Sequence, residues 1–324
     1  MENCEVWRKF RWLVLLESLY SHATNMNRDH LSGVLWTIAS TVMFSLMTLF
    51  ARLAHDWAGL GAWKTVEIRC LFSMAAVLVL SALMRQPLRF VNRSWLVSRG
   101  LFGALAVVLF FFAINIIGVA KATILVYTCP MWAGLLSPML LGDHVGKGLW
   151  ASVIVVFAGL YLIIVPPGDF TGVSWFDLLA LSGGLLSGIA VLSVKKLRET
   201  DSTMAILFSQ AFFGWLIAGG PAAREGYAIS PAGWALLIAV GVFAVAGQMQ
   251  MTYAYKHVGG TEGALLGTLT PVFNVFIGLF MFNEEVGLRG LIGCVIVLAG
   301  CIYAALPPRV PPALAEAEAS DRLT

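Results

Sequence analysis

Long apolar runs alternate along the chain with short polar joints. Runs able to cross a hydrocarbon layer about 30 Å thick, about 20 residues each, fall at Leu31–Leu53, Trp63–Met84, Trp95–Ile117, Ala120–Leu141 and Gly148–Val165. After a Pro/Gly joint come Ser174–Val194, Thr203–Gly219, Ala232–Tyr255, Gly263–Phe282 and Gly287–Leu306. Strands of a membrane barrel would be about 10 residues long and alternate in polarity. Continuous runs predict helices, whose backbone groups are satisfied within the segment. The pattern predicts an all-α integral membrane protein with ten transmembrane helices.

The second five runs repeat the first. A displacement of 141 positions sets Gly259 on Gly118, Pro271 on Pro130, Val286 on Val145, Gly300 on Gly159 and Pro307–Pro308 on Pro166–Pro167. Ala254 meets Ala113, and the acid Glu284 meets the acid Asp143. No gap is needed, as expected of a duplicated unit. Five is odd, so the second copy enters the membrane from the opposite face. The expected architecture is two five-helix repeats of inverted topology, residues 29–167 and 168–308, the arrangement that secondary transporters use for alternating access.

Outside the repeats lie residues 1–28 and a tail, residues 309–324, expected to be disordered. The extension carries "WRKFRWLVLLESLY" and is too short and too charged to span. It reads as a basic interfacial helix, as disordered chain, or as residues upstream of a start at Met26. It lacks the small-residue cleavage pattern of a secretory signal.

Composition sharpens this picture. Hydrophobic residues make up 59% of the 324 and charged ones only 12%, with mean hydropathy +0.84. Soluble domains carry about 25% charged residues, so a soluble fold is excluded. The formal net charge of +3 matters less than its distribution. Arg85, Arg89, Arg93 and Arg99 follow the second run, and Lys195, Lys196 and Arg198 follow the sixth. With further basic residues at both chain ends, this bias predicts cytoplasmic termini in a cell inner membrane. The loops are too short for a nucleic-acid site.

Several chemistries fail on spacing. "GDHVGKG" (Gly142–Gly148) lacks the first glycine and the closing hydroxyl of a phosphate loop, so no ATP motor is encoded. "GLLSG" is not GxSxG, and no HExxH occurs. The five cysteines form no CxxC pair and read as core residues. No metal site, cofactor or enzymatic centre is expected.

Polar groups inside the runs are the candidate cavity lining. Glu67 and Arg69 are charges within a span, a functional signal by default. They sit two residues apart, too far around a helix to pair along one face, so Arg69 must reach a neighbouring helix or snorkel. Gln248, Thr252 and Tyr255 share one helical face, as do Thr37, Thr41, Ser45 and Thr48. Asn115, Thr270 and Asn274 complete the neutral set. Tyr127, Trp132 and Tyr253 are aromatics that either stack on a planar solute or pack. Pro130 and Pro271 are expected to kink or loosen their helices, freeing the carbonyls of Val126 and Gly267. Gly263, Gly267, Thr270, Asn274 and Gly278 form a small-residue stripe for close helix approach or for solute passage.

The ten-span plan, the two-copy unit, the opening "MNRDHLSGVLWTIASTVMFSLMTLFARL" and the segment "ATILVYTCPMWAGLLSPMLLGDHV" resemble the EamA family of the drug/metabolite transporter superfamily. The likeness covers about residues 26–308. One departure is Asp143–His144, where that family usually shows an acid like Glu284. The resemblance implies two halves around a central cavity and a small-metabolite substrate such as an amino acid, S-adenosylmethionine, riboflavin or a sugar. The expected function is secondary transport of a small metabolite, with a proton as the candidate coupling ion. An integral-membrane transferase or a non-transporting structural protein is the alternative.

Overall fold

The computed structural model describes residues 3–85, 87–117, 119–143, 145–165, 174–283 and 287–306, without the side chains of residues 3–27, 111, 112, 114, 115, 119–121 and 123. Helices in chain order are α1 (Asn3–Ala58), α2 (Ala62–Leu83), α3 (Arg93–Ile117), α4 (Val119–Val126), α5 (Cys129–Leu140) and α6 (Lys147–Ile164). They continue with α7 (Trp175–Leu197), α8 (Thr203–Ala223), α9 (Pro231–Ala254), α10 (Gly260–Leu266), α11 (Leu269–Met281) and α12 (Leu288–Ala305). Among the described residues nine segments are long and apolar enough to cross a membrane, and Ile124–Leu140 is apolar but shorter. The first segment begins at Arg28, and its helix continues back to Asn3.

Met139, Ile154, Leu216, Phe280, Val295 and Ile302 are exposed on the outside of the bundle. Water would reject that surface, and hydrocarbon accepts it. Inside, small residues let helices approach closely, since lipid gives apolar side chains no reason to prefer the interior.

The fourth and ninth crossings are each two helices. α4 stops at Val126 and α5 starts at Cys129; α10 stops at Leu266 and α11 starts at Leu269. Pro130 and Pro271 therefore break the helix before them, a stronger effect than the kink expected. Proline fits the first turn of a new helix, where its missing N–H is no loss. The carbonyls relieved at each break also differ from expectation. Thr128 Oγ1 donates to the Leu125 carbonyl and Thr268 Oγ1 to the Leu265 carbonyl, both at 2.6 Å, one or two residues before Val126 and Gly267. The Gly267 carbonyl is itself taken by the Thr270 amide at 3.2 Å.

Duplication is visible in the backbone. Left-handed residues after helices recur in pairs at the sequence displacement: Arg85 with Gly226 (φ 51° and 77°) and Gly142 with Asn283 (φ 74° and 52°). Helix starts recur likewise, Gly61 with Ser202 and Gly146 with Gly287. Packing obeys the same exchange. α1 lies on α9 as α3 lies on α7, α1 meets α10 and α11 as α7 meets α4 and α5, and α2 with α8 and α6 with α12 are self-paired.

The α6–α12 seam fixes the relative orientation. A Cβ on Gly159 would lie 2.8 Å from Val297 Cγ2, one on Gly300 2.6 Å from Val156 Cγ2, and one on Gly293 2.8 Å from Ile163 Cγ1. Rising numbers on one helix meet falling numbers on the other, so the pair is antiparallel. Gly159 and Gly300, like Val156 and Val297, are equivalent positions of the two copies, so the two glycine–valine contacts are images of each other about a twofold axis in the membrane plane. His30 on α1 and Leu306 just after α12 line one cavity, so the first and last crossings of the described bundle meet at one end, called here the terminal end. The other is the far end.

Gly159→Ala and Gly300→Ala should each destabilise the bundle by about 1–3 kcal/mol through overpacking, read by thermal melting in detergent. Val297→Ala should return part of the loss in Gly159→Ala but none in Gly300→Ala.

Candidate functional site

A cavity lies on the twofold axis. Val66, Arg69, Cys70 and Ser73 of α2 line it opposite Leu207, Gln210, Ala211 and Gly214 of α8, and Ala104 and Val107 of α3 opposite Val245 and Gln248 of α9. Each named pair is an equivalent position in the two copies. Shape is therefore shared between the halves while chemistry is not. Arg69 faces Gln210, and Val107 faces Gln248. In this conformer the free space is about 40 Å³, enough for a few waters.

Behind this wall lies Arg99, 5% exposed. Its Nη2 donates to Gln210 Oε1 and, at 3.3 Å, to Gln248 Oε1, while its Nε is buried without a partner. Sequence reasoning grouped Arg99 with the surface basic cluster after the second run. The structure places it within α3, in the interior. The signal that would have found it is its position inside the apolar run Trp95–Ile117, where an arginine is costly at the lipid face and must turn inward. Arg69 meets no carboxylate among the described residues.

Glu67 has a partner that spacing did not suggest. Lys64, three residues earlier on α2, reaches its Oε2 at 2.9 Å, and both side chains are buried. Tyr227, in the turn between α8 and α9, donates to Glu67 Oε1 at 2.7 Å, and its ring lies 3.4 Å beneath Lys64 Nζ. Glu225 of the same turn accepts the Lys64 amide at 3.2 Å. This network ties α2 to the opposite copy at the far end. At the terminal end a cavity of about 740 Å³ stands open, lined among others by His30, Asp143, Lys147, Lys195, Glu262 and Tyr303. His30 Nε2 and Glu262 Oε1 meet across it at 2.8 Å, and Lys195 Nζ donates to the Val258 carbonyl at 2.8 Å.

Of the residues expected in the lining, Arg69 and Gln248 are in it. Thr41 and its stripe are largely buried, with hydroxyls bonded one turn back in their own helix; Ser45 also reaches the Thr270 carbonyl at 3.3 Å. Trp132 Nε1 donates to Thr128 Oγ1 at 3.2 Å beside the first break, and Tyr127 packs against the main core there. Tyr255 and Thr252 are fully buried between helices; Tyr255 fills the space left by Gly263, whose Cβ would meet its ring at 2.4 Å. That contact assigns Gly263 to packing. Thr252 Oγ1 and Asn274 Oδ1 are buried without hydrogen-bond partners, away from the axial lining. The side chain of Asn115 is not among those described, and Glu284 lies outside the described residues.

Inverted five-helix copies around an axial cavity that carries Arg69, Gln210 and Gln248 define a multi-pass membrane protein of transporter architecture. Comparison with known proteins agrees. The chain belongs to the EamA-like transporter family, whose model matches residues 31–165 and again 174–306. It is 29% identical over 277 residues to the pseudopaline exporter CntI of Pseudomonas aeruginosa, covering 84% of this chain and 95% of that protein. It is 26% identical to the riboflavin transporter of Rhizobium johnstonii (84% and 90% covered) and 24% identical to mouse solute carrier family 35 member G1 (82% and 76%). A solved crystal structure superposes with TM-score 0.71 over 85% of this chain and 96% of its own, at 17% identity. At that identity the likeness concerns the fold.

Removing one member of a buried ion pair strands the other. Glu67→Gln should therefore cost about 3–5 kcal/mol of stability. A Lys64→Met/Glu67→Met double variant should lose less, a contrast that detergent melting curves of the two would reveal.

Proposed function

We propose that the protein is a secondary transporter that carries a small organic metabolite across the cytoplasmic membrane by alternating access. The observation that carries this reading is the cavity on the axis between the inverted copies. If each copy adopts the conformation now held by the other, the sealed and open ends exchange while the axial site stays in place. The far end is sealed by Lys64, Glu67 and Tyr227, and the broken crossings α4–α5 and α10–α11 are the hinge elements. The working units are residues 29–167 and 168–308.

Arg85, Arg89, Arg93, Lys195, Lys196 and Arg198 favour a cytoplasmic terminal end, with both termini inside. The 740 Å³ cavity then faces the cytoplasm. Relatives named as an exporter of pseudopaline and a transporter of riboflavin support an organic solute over an inorganic ion, with amino acids and planar metabolites in the panel to be tried. The driving force is the solute's own gradient or a coupled proton, since the chain carries no nucleotide-binding loop.

Purified protein in proteoliposomes should move at least one member of a panel of amino acids, nucleosides and vitamins down an imposed gradient. Gln248→Ala should lower that flux about tenfold at unchanged membrane expression. A complete lack of gradient-dependent movement across the panel would sink the reading. Reporter tags on the two termini should both lie on the cytoplasmic face, and tags on opposite faces would do equal damage.

A further inference from the structure

We infer that the transported solute carries a carboxylate, bound at the axial cavity by Arg69 and by the amides of Gln210 and Gln248, which Arg99 positions from behind. This rests on the transport reading above. Arg99 is a buried guanidinium, and the ionisable side chains that act on it electrostatically are Tyr255, Cys129 and Arg69. None is a carboxylate. Arg69, on the cavity wall, is likewise without an acid among the described residues. Two cations thus share one region inside the bundle with no fixed anion there among the described residues, although an unpaired buried charge is strongly unfavourable. By contrast Lys64, on the same helix as Arg69, has its acid at 2.9 Å. The fold neutralises the lysine at the far end and leaves the two arginines at the axis open.

The neutral groups point the same way. A guanidinium can only donate, so Gln210 and Gln248 turn their amide oxygens toward Arg99. Their amide nitrogens are left to donate elsewhere, and Gln210 Nε2 lies beside Gly103 on the cavity wall. Arg69, Gln210 and Gln248 thus present donors to the cavity, with Arg99 holding the two amides from behind. That set accepts an oxyanion and gives a carboxamide of the same shape no cationic complement. Equivalent positions in the other copy are apolar, Val240 for Arg99 and Val107 for Gln248, so the site takes one anionic head in one orientation. The 40 Å³ of free space suits the head group, and the remainder of the solute requires the cavity to widen.

The test uses full-length protein in proteoliposomes and three isosteric pairs: glutamate and glutamine, succinate and succinamide, benzoate and benzamide. At least one carboxylate should move tenfold faster than its amide. Arg99→Gln and Arg69→Gln should each remove at least tenfold of that flux, and Arg99→Lys, which keeps charge without the planar fork, should fall between. If Arg99→Gln fails to fold, judged by its elution profile, Arg69→Gln on the half-buried wall carries the comparison. Amides moving as fast as carboxylates, or undiminished carboxylate flux in the glutamine variants, would overturn the inference while leaving transport intact. Movement of no member of any pair would overturn it too, and the wider metabolite panel then judges transport separately.

Discussion

The seam between α6 and α12 is the contact on which the rest of the architecture depends. Gly159 and Gly300 are bare where Val297 and Val156 press in, and the two contacts are images of each other. An antiparallel register between equivalent helices is possible only if one copy is upside down relative to the other. The remaining helix pairs then follow in matched sets, and the axis they share runs through the cavity between α2, α3, α8 and α9. In a bilayer no hydrophobic drive between helices competes with this close packing, so small residues at a few positions carry much of the specificity.

A twofold axis supplies equal walls, and a ligand with a head and a tail needs unequal ones. Here the backbone keeps the symmetry, down to paired left-handed residues such as Gly142 and Asn283, while side chains break it. Arg69 answers Gln210, Gln248 answers Val107, and Arg99 has only Val240 opposite. The ends of the bundle differ as well. At the far end Lys64 and Glu67 form a buried pair capped by the exposed Tyr227, and the terminal end holds a wide cavity. A molecule of nearly symmetric frame thus holds an asymmetric arrangement, the starting point of the alternating access proposed above.

The broken crossings illustrate how local chemistry is reused with a shift. Each proline opens a new half-helix, and each break is relieved by a threonine hydroxyl folded back onto a carbonyl three residues earlier. Thr128 stands two residues before Pro130, whereas Thr268 stands three before Pro271, so the second copy breaks one residue sooner relative to its proline. Sequence spacing pointed to the prolines and to nearby hydroxyls. The choice of carbonyl depended on where the helix stopped, a balance between α-helical bonds and the turn that only the packed backbone resolves.

Membrane insertion, helical class, duplication and inversion were all legible in the chain itself. They follow from run length, from a gapless displacement and from odd parity, properties that no tertiary contact can change. Glu67, Arg69 and Gln248 stood out for the same reason, as polarity in an apolar run. What remained undecided was which polar groups meet. Arg99 was read as part of a surface cluster, because a one-dimensional pattern gives depth along a helix without giving the face it turns inward. Helix rotation, set by glycine contacts with neighbouring helices, turned one arginine toward two glutamines from the other copy and gave Glu67 its lysine. The chain determined that polar groups would lie between two inverted halves; tertiary packing decided which charges there meet an acid, as Lys64 does, and which, like Arg69 and Arg99, meet none among the described residues.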